Sequence, residues 1–395
     1  MYADVIIEYG NKAVDREFTY IVPDKYRDLI RIGHRVEVPF NNRNIEGFVM
    51  KLRDKYNGEY ELKEIVSICD ENPILNKEML YLGDIIQEDI LCSKISIYQA
   101  MLPKALKAKA GTLIGIKKER YIVLNISYED TLKYISECKY QKQIEILKSL
   151  LNKKKIKVNK LESSINTLIK KGIIKYEFND VNRYNSHASG KYKVVKLNQE
   201  QEMVVNSIDL NKFIPYLLYG VTGSGKTEVY MELIDRVLKM GKTAIMLVPE
   251  ISLTPQIVDR FTFNFGDDIA ILHSGLSEAE KYDEYRKIKN GLVNIVVGAR
   301  SAIFAPLKNL GVIIIDEEHS TTYKQDNHPR YDAKEIAKFR STYHKCPILL
   351  GSATPTLESF ARAANHVYKL LTLTKRAGNS VLPKVNIIDM QDELK

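Results

Sequence analysis

The sequence predicts a multi-domain α/β protein: a small β-rich N-terminal domain, a winged-helix domain, and an α/β lobe built on a parallel sheet. Three observations predict it. Short strands separated by turn residues fill the start of the chain, a basic helical stretch ends in a glycine and a β-rich run, and apolar strands alternate with amphipathic helices towards the C-terminus. The 395 residues are enough for several separate cores.

Residues 1–110 are predicted to form the β-rich domain. Their short apolar runs are bounded by Gly, Asn and Pro, which are typical of turns between strands. The stretch from Leu75 to Leu106 has a helical pattern and is assigned to the same domain. The predicted strands are Val5–Tyr9, Phe18–Val22, Arg35–Phe40 and Ile45–Leu52.

Residues 111–178 are predicted to form the winged-helix domain. Gln141–Leu151 has apolar residues at helical spacing, and the basic run Lys153–Lys157 separates it from a second short helix. Gly172 closes that second helix before the β-rich run Ile173–Phe178. The alternative is a basic helical hairpin that only spaces the neighbouring domains.

Residues 179–196 lack apolar periodicity and are predicted to be a linker, and residues 197–395 are predicted to form the α/β lobe. Continuous apolar strands between amphipathic stretches such as Glu228–Leu238 indicate a parallel sheet covered by helices on both faces. The predicted strands are Tyr216–Tyr219, Ala244–Val248, Ala270–Leu272, Ile295–Val297, Val312–Ile315 and Ile348–Leu350.

The composition is that of a globular protein with an excess of positive charge. Hydrophobic residues make up 45% of the chain, and the formal net charge is +9. A polyanionic partner would explain this charge, and so would Lys-rich genome usage, so charge alone leaves both open. The sequence has no run of membrane-spanning length and no signal-peptide pattern, which predicts a cytoplasmic protein without a membrane partner.

The cysteines are scattered through the chain, at Cys69, Cys92, Cys138 and Cys346. They form no C-x-x-C pair, so the sequence supports neither a zinc site nor a disulfide framework. A reducing environment is the expected setting.

A phosphate-binding loop, Gly220-Val-Thr-Gly-Ser-Gly-Lys226-Thr227, follows an apolar strand and opens a helix. Its glycines allow backbone N–H groups to wrap phosphates, Lys226 should reach the β- and γ-phosphates, and Thr227 should bind Mg²⁺. The alternative is a chance glycine-rich turn. The expected cofactors are ATP and Mg²⁺, and the predicted nucleotide-binding residues here are Gly220, Thr222, Gly223, Ser224, Gly225, Lys226, Thr227 and Glu228.

A second acidic motif, Asp316-Glu317-Glu318-His319, follows the apolar strand that ends at Ile315. Carboxylates at the carboxyl end of a parallel strand lie where ligands bind. Asp316 is therefore predicted to hold Mg²⁺, either directly or through a ligand of the ion. Glu317 is predicted to position the attacking water, so that Lys226, Asp316 and Glu317 are the predicted catalytic residues. The alternative is an acidic helix N-terminus capped by Asp316.

Further motifs carry a resemblance to a known family. Asp316–His319 resembles the DExH box of superfamily 2 helicases, and Gly351-Ser-Ala-Thr-Pro355 resembles their S-A-T motif. V-P-E-I-S-L-T-P-Q from Val248, H-S-G-L-S from His273, G-A-R-S-A-I-F-A-P from Gly298 and Y-K-Q from Tyr323 are similar to the PriA family of primosomal replication-restart helicases. Members of that family have RecA-like motor lobes, so the resemblance implies one RecA-like lobe here.

The resemblance also implies roles for individual residues. Gln201 would read adenine, since a side-chain amide can pair with both its donor and its acceptor; a surface glutamine is the alternative. The nucleic-acid strand would be held by Arg300 and Ser301 and by an aromatic-rich loop containing Tyr323, Lys324, Arg330 and Tyr331. The alternative for this loop is an ordinary polar loop with one core tyrosine. His319, Ser352 and Thr354 would couple nucleotide and DNA binding.

In the N-terminal domain, the resemblance implies a pocket for the 3′-terminal nucleotide of a DNA strand, formed by Phe18, Tyr20 and Lys63. Many family members have an acidic residue after the phenylalanine, whereas this chain has Thr19, which puts the hydrogen bond to the 3′-hydroxyl in doubt. The alternative is a core phenylalanine and a solvated lysine.

The family resemblance implies a 3′→5′ DNA helicase that recognises stalled forks and single-stranded DNA and works with primosome loading proteins and single-stranded DNA-binding protein. The sequence stops at Lys395, before a second lobe and its zinc-binding insertion, so the chain is expected to bind ATP and DNA but to hydrolyse ATP poorly. Another superfamily 2 motor and a non-catalytic DNA-binding module are the rival interpretations.

Overall fold

The computed structural model describes residues 1–10, 15–109, 115–160, 162–183 and 196–376. The chain divides into two compact units, one made of Met1–Thr112 with Ser186–Lys395 and the other of Leu113–Asn185. The N-terminal domain and the C-terminal lobe therefore belong to one unit. None of the helices in the described ranges is both long enough and apolar enough to cross a bilayer.

The N-terminal domain is built on a five-stranded antiparallel sheet with strand order β2-β1-β4-β3-β5. A two-residue turn joins β3 to β4, and both of its residues, Asn41 and Asn42, have positive φ angles, as the tightest hairpins require. The four predicted strands are confirmed. The strands are β1 Tyr2–Ile7, β2 Glu17–Ile21, β3 Arg35–Phe40, β4 Arg43–Arg53 and β5 Ser67–Ile68.

Two helices complete this domain, α1 (Lys77–Ile90) and α2 (Lys94–Met101). Helix α1 begins after Asn76, whose side chain accepts a 2.8 Å hydrogen bond from the amide of Met79 and so caps the helix. The helical stretch predicted from Leu75 to Leu106 is confirmed as two separate helices.

The unit Leu113–Asn185 has three helices packed on a three-stranded antiparallel sheet of order β7-β6-β8, and its core includes Leu147, Leu168 and Ile174. Gly172 follows the last helix with a φ of 73°, as predicted for a helix-ending glycine. The predicted helices, the glycine and the following strand occur in the expected order, and the winged-helix assignment remains a prediction. The elements are β6 Lys118–Leu124, α3 Tyr128–Glu137, α4 Gln141–Lys153, β7 Lys155–Lys157, α5 Ser163–Lys170 and β8 Ile174–Asp180.

Two features of this unit were not predicted. They are strand β6 and helix α3, whose buried side chain is the polar Thr131. Strand β8 extends two residues into the predicted linker, and positions 184–195 of that linker lie outside the described residues.

The C-terminal lobe contains a seven-stranded parallel sheet of order β11-β12-β10-β13-β14-β9-β15. The six predicted strands are confirmed, and β15 is an additional edge strand. The strands are β9 Pro215–Gly220, β10 Thr243–Leu247, β11 Ile269–Leu272, β12 Ile295–Gly298, β13 Leu310–Ile315, β14 Ile348–Ser352 and β15 Lys369–Leu373. The helices are α6 Gln199–Asn206, α7 Lys226–Lys239, α8 Pro255–Phe265, α9 Glu278–Lys289, α10 Ala333–His344 and α11 Leu357–Ala364.

The N-terminal domain is joined to this lobe by a buried ion pair. Arg340 of α10 is 2% exposed, and its Nε and Nη2 donate to the two carboxylate oxygens of Glu78 in α1 over 2.6 and 3.1 Å. Its Nη1 donates to the carbonyls of Ile303 and Ala305, and His344 Nε2 lies 3.0 Å from Glu78 Oε1. The junction is therefore held by charge as well as by apolar packing.

Candidate nucleotide site and adjoining nucleic-acid surfaces

The parallel sheet brings the sequence motifs to one edge. The phosphate-binding loop follows β9, the S-A-T motif follows the end of β14, and the acidic motif follows β13. These three strands are direct neighbours in the order β13-β14-β9. Because carboxyl ends of parallel strands meet at the same edge, the three motifs face one site.

The loop between β9 and α7 has a conformation suited to wrapping phosphates. Gly223 and Gly225 have φ angles of 77° and 81°, a region where side chains cause strain. A Cβ atom at Gly225 would lie 2.2 Å from Nε2 of Gln201, so this position also requires glycine for space. The amide of Ser224 donates to the carbonyl of Val221 over 2.9 Å and closes the loop.

Lys226 and Ser224 supply polar groups inside this loop. Nζ of Lys226 donates to the carbonyl of Gly220 over 3.1 Å. Oγ of Ser224 is buried and has no hydrogen-bond partner among the described residues. A buried hydroxyl without a partner is costly, so a bound phosphate would satisfy it. Thr222 is exposed and Thr227 is half-buried at the start of α7.

Two residues predicted to contact the nucleotide are engaged with the protein instead. Gln201 is 2% exposed; its Oε1 accepts from the amide of Asn198 over 2.9 Å and its Nε2 donates to the carbonyl of Ser224 over 3.0 Å. Both ends of its amide are occupied, so the predicted adenine contact does not fit this structure, and neither does a surface position. Glu228 pairs with Arg260 of α8.

Asp316 and Glu317 face the phosphate-binding loop from the end of β13. Oε1 of Glu317 lies 3.8 Å from Nζ of Lys226. Oδ1 of Asp316 accepts a 2.9 Å hydrogen bond from the hydroxyl of Tyr230. Burial raises the pKa of Asp316, while this hydrogen bond opposes the rise.

Tyr230 is a site residue that the sequence reasoning missed. It lies one helical turn after Lys226 in α7 and is fully buried. A Cβ atom at Gly351 would lie 1.7 Å from its hydroxyl oxygen, so a glycine at this point of β14 is what lets the tyrosine reach Asp316. The available signal was an aromatic residue four positions after the loop lysine.

Glu318 is a second missed residue, since it was quoted in the acidic motif without a role. Its carboxylate is fully buried and accepts hydrogen bonds from the amide of Thr356 over 2.7 Å and the hydroxyl of Ser359 over 2.9 Å. Nζ of Lys334 lies 3.4 Å from the same carboxylate. Glu318 thereby fixes the segment after β14 to the acidic motif.

The three residues predicted to couple nucleotide and DNA binding lie together. Nδ1 of His319 is 2.8 Å from Oγ of Ser352 and 3.4 Å from Oγ1 of Thr354. The amide of Thr354 donates to Oγ of Ser352 over 3.0 Å, and Nδ1 of His319 lies 3.5 Å from Oε2 of Glu317. Contacts therefore run from the acidic motif to the S-A-T motif, and the coupling role remains a prediction.

The aromatic-rich loop holds its two tyrosine rings inside the lobe. Tyr323 is 1% exposed, and its hydroxyl donates to the carbonyl of Asp316 over 2.6 Å. Tyr331 is also buried and packs edge-on against Phe304, with ring centroids 4.9 Å apart. The expectation that these rings stack on bases does not fit this conformation, because neither face is accessible. Tyr323 instead connects the loop to the nucleotide site.

The polar residues predicted to hold a nucleic-acid strand lie around this loop. Nη1 of Arg300 donates to the carbonyls of Thr322 and Lys324 over 3.0 and 2.7 Å, so this guanidinium supports the loop. The side chains of Ser301, Lys324 and Arg330 are exposed. They remain available for phosphate contacts.

In the N-terminal domain, Phe18 is half-buried. Its ring packs edge-on against Phe40 with centroids 5.3 Å apart, and the guanidinium of Arg16 lies 5.0 Å from its centroid. Tyr20 is buried, its hydroxyl donates to the carbonyl of Pro39 over 3.4 Å, and burial raises its pKa to about 12. The predicted DNA contact of Tyr20 does not fit this structure, because the ring belongs to the core.

Lys63 is exposed beside the end of β2, where its carbonyl accepts a 2.9 Å hydrogen bond from the amide of Ile21. Oγ1 of Thr19 donates to Oδ1 of Asp4 over 2.8 Å. The position that is often acidic in the family is thus hydrogen-bonded to a buried carboxylate of the neighbouring strand.

Comparison with known proteins matches both regions. Residues 4–103 match the 3′DNA-binding domain (3′BD) of PriA, and residues 198–363 match the DEAD/DEAH box helicases. Replication restart protein PriA of Bacillus subtilis is 39% identical over the whole of this chain, which covers 58% of that protein. Over its whole length the chain is similar to PriA. PriA of Chlamydia muridarum is 34% identical over the whole chain, covering 54% of that protein, and PriA of Synechocystis is 42% identical over 59% of the chain, covering 29% of that protein.

The chain thus spans little more than half the length of the first two PriA relatives. Among solved structures, the likeness to RecG bound to a three-way DNA junction has a TM-score of 0.36 at 19% identity, covering 86% of this chain and 45% of that one. This likeness is too weak to carry an argument. The similarity to PriA therefore rests on sequence.

The match to the DEAD/DEAH box helicases implies a nucleotide with Mg²⁺ as the cofactor, and the site fits it. The unpartnered hydroxyl of Ser224 and the ammonium of Lys226 lie within the phosphate-binding loop. The part of the chain that the structure describes has no cluster of three or more His, Cys, Asp or Glu residues that could hold a metal. Thr227 and Asp316 would hold Mg²⁺ together with the phosphates.

Proposed function

We propose that this chain is the DNA-recognition part and first motor lobe of an ATP-dependent DNA helicase of the superfamily 2 DExH type, which moves 3′→5′ and acts at stalled forks and branched DNA. The observation that carries this proposal is the 2.6 Å hydrogen bond from the hydroxyl of Tyr323 to the carbonyl of Asp316. A shift of the aromatic-rich loop would move the backbone of a carboxylate at the nucleotide site. That is the link a DNA-driven ATPase needs.

In the proposed hydrolysis, Lys226 binds the β- and γ-phosphates and Glu317 positions the attacking water. Their 3.8 Å separation puts the Glu317 carboxylate next to the ammonium that would meet the terminal phosphate. Mg²⁺, held by Thr227 and Asp316, would supply neutralisation of the negative charge that develops on the phosphates. Ser224 and the loop amides would complete the phosphate cradle.

We expect this chain alone to hydrolyse ATP slowly and to separate no strands. In motors of this type an arginine finger from another element accelerates hydrolysis by about 10³–10⁵-fold. The described lobe places no arginine beside Glu317; its carboxylate lies 3.8 Å from the ammonium of Lys226 and 3.5 Å from Nδ1 of His319. The proposal therefore predicts tight nucleotide binding with weak turnover.

The DNA part of the proposal assigns the 3′ end of a strand at a branch to the N-terminal domain, through Phe18 and Lys63. Arg300, Ser301 and Lys324 would contact a single strand on the lobe. The relatives are named replication restart proteins. Interactions with primosome loading proteins and with single-stranded DNA-binding protein belong to the same proposal and are supported by family resemblance.

The test is single-turnover ATP hydrolysis by the chain in excess over ATP, with and without a forked DNA. We expect slow hydrolysis that the fork stimulates, and a rate at least about 10²-fold lower in Glu317→Gln, because the water would lose its positioning group. Glu358→Gln, at an exposed carboxylate of α11, is the matched control and should behave as wild type.

A chain that binds forked DNA but shows no ATP binding would contradict the helicase proposal. It would support the second candidate, a non-catalytic DNA-binding module in which the lobe only stabilises the N-terminal domain. Hydrolysis at the same rate with and without the fork would support the ATPase activity but contradict the proposed coupling through Tyr323.

A further inference from the structure

A cavity of about 560 Å³ lies between the N-terminal domain and the C-terminal lobe. One wall is the segment Ala100–Lys107, which begins in the last two residues of α2 and has no role in the nucleotide site. The other wall is formed by lobe residues that include Ser274, Arg300 and Lys324. This volume falls within the range of about 300–1,000 Å³ that is typical of ligand sites.

The lining of this cavity is cationic. Its basic side chains are Lys104, Lys107, Lys281, Arg300 and Lys324, and its acidic side chains are Glu250, Glu278 and Asp326. Two of these acids have partners in the protein: Oε1 of Glu278 lies 3.1 Å from Nζ of Lys281, and Oε1 of Glu250 accepts from the amide of Ser274 over 3.3 Å. The remaining positive charge favours an anionic ligand.

Lys107 is the least satisfied of these cations. Its side chain is half-buried, and its ammonium has no hydrogen bond or ion pair within the described residues. Burial lowers the pKa of Lys107; Glu278 opposes this effect, and Lys104 adds to it. Withdrawing a cation from water without a partner costs free energy, and a bound phosphate would offset that cost.

Apolar side chains also line the cavity. They are Leu102 of the N-terminal segment and Leu272 and Phe304 of the lobe. A lining of cations and apolar groups matches the alternation of phosphates, sugars and bases along an unpaired strand. The paired bases of a duplex are not free to meet such a lining.

We propose that Lys104 and Lys107 bind the phosphates of a single DNA strand that lies in this cavity against Lys324. The inference rests on the proposed helicase function and deepens it, because it makes the N-terminal domain a second wall of the strand-binding path. Engagement of the strand then requires both the N-terminal domain and the motor lobe.

The experiment compares Lys104→Gln/Lys107→Gln with Lys55→Gln/Lys77→Gln, which removes the same charge from exposed positions of the N-terminal domain. Binding of a labelled oligo-dT with a blocked 3′ end is measured by fluorescence anisotropy over a range of salt. Each lost phosphate contact should reduce the salt slope by about 0.7 for a single strand. The variant Lys104→Gln/Lys107→Gln, called the cavity variant, should thus show a salt slope smaller by about 1.4 and an affinity lower by about tenfold. The control variant should show neither change.

Four further measurements guard against misfolding and a general charge effect. Thermal unfolding should be the same in both variants. The variant Lys107→Arg should retain most of the binding, because it keeps the positive charge. Photo-crosslinking of an oligo-dT containing 4-thiothymidine should give adducts in the Ala100–Lys107 segment. A fully paired duplex should bind the cavity variant and the control with equal affinity.

Equal oligo-dT binding by the cavity variant and the control would overturn the inference and leave the proposed function standing. An equal loss for the single strand and the duplex would also overturn it, since the lysines would then form a general phosphate-binding face. If the wild-type chain binds ATP but no strand of either kind, the helicase proposal itself fails.

Discussion

The hydroxyl of Tyr230 donates a 2.9 Å hydrogen bond to Oδ1 of Asp316. Tyr230 belongs to α7, the helix that the phosphate-binding loop opens, and Asp316 follows β13. The bond therefore joins the two halves of the nucleotide site through one buried contact. It also holds the carboxylate of Asp316 in one orientation.

Replacing this tyrosine with phenylalanine should weaken the site with little change of shape. Tyr230→Phe removes a hydrogen bond to a charged acceptor, so we expect the free energy of unfolding to fall by about 1–3 kcal/mol. Mg²⁺-dependent ADP binding should weaken as well, because Asp316 loses its support. Urea unfolding and titration with a fluorescent ADP measure the two effects. Tyr219→Phe on β9 is the control, and equal losses in both variants would contradict the prediction.

The loop lysine should decide whether a nucleotide stabilises the fold. At a nucleotide concentration of about 100 times Kd, binding to the folded state alone adds about 2.7 kcal/mol to stability. We expect Lys226→Ala to abolish the increase in Tm caused by MgADP, because the phosphates lose their cation. Lys239→Ala, at the exposed end of the same helix, should keep it. An undiminished Tm shift in Lys226→Ala would show that the nucleotide binds elsewhere.

The junction between the N-terminal domain and the lobe should be sensitive to acid. Burial opposes ionisation of Glu78, but Arg340 and His344 outweigh it and lower the pKa from 4.5 to about 2. Since the folded pKa is the lower one, the stabilisation is complete above the unfolded value and is lost as the pH falls towards about 2.

The variant Glu78→Gln leaves Arg340 without its carboxylate and should cost about 3–5 kcal/mol near neutral pH. The difference from wild type should shrink as the pH falls through this window, because Glu78 of the wild type becomes protonated there. Urea unfolding at a series of pH values measures the difference. Glu88→Gln, at an exposed position of the same helix, should show neither effect. If the difference in the free energy of unfolding between wild type and Glu78→Gln stays constant down to the lowest pH, the lowered pKa of Glu78 is contradicted.

The Phe18 ring should determine the preference for a free 3′ end. Stacking of one base contributes about 1–3 kcal/mol. We expect Phe18→Ala to remove the discrimination between forks with a free and a blocked 3′ end, while binding to plain duplex is retained. Competition binding with the two forks measures this ratio. Because Phe18 also contacts Phe40, the Tm must be measured alongside; an unfolded variant, or an equal loss for both forks, would count against the pocket.

The parts of the fold that depend on local pattern could be predicted from the sequence. The strands carrying the motifs were found because each is a continuous apolar run next to a glycine or acidic signal. Strand β15 was missed, since Lys369–Leu373 has only one fully buried side chain and lies at the edge of the sheet. Its pairing with β9 depends on chain contacts that no short window contains.

The same limit applies to the site. Lys226 and Glu317 could be placed together because their motifs follow neighbouring strands of one sheet edge. The burial of Tyr323 could not be predicted, because exposed polar residues surround it in sequence while its hydrogen-bond acceptor, Asp316, lies outside the loop. For Gln201, the motif identified the right neighbourhood, but the sequence does not tell a ligand contact from a capping interaction with the loop.

The buried pair of Glu78 and Arg340 spans 262 positions of the chain, which has a consequence during synthesis. A ribosome that adds roughly 5–20 residues per second delivers Arg340 roughly 13–52 s after Glu78. Over that interval, helix α1 of the nascent chain lacks both its charge partner and the apolar face of the lobe. Slower translation of the lobe lengthens the time for which α1 lacks these partners. Synonymous codon changes in the part of the gene that encodes the lobe should therefore alter the yield of folded protein, although the amino-acid sequence stays the same.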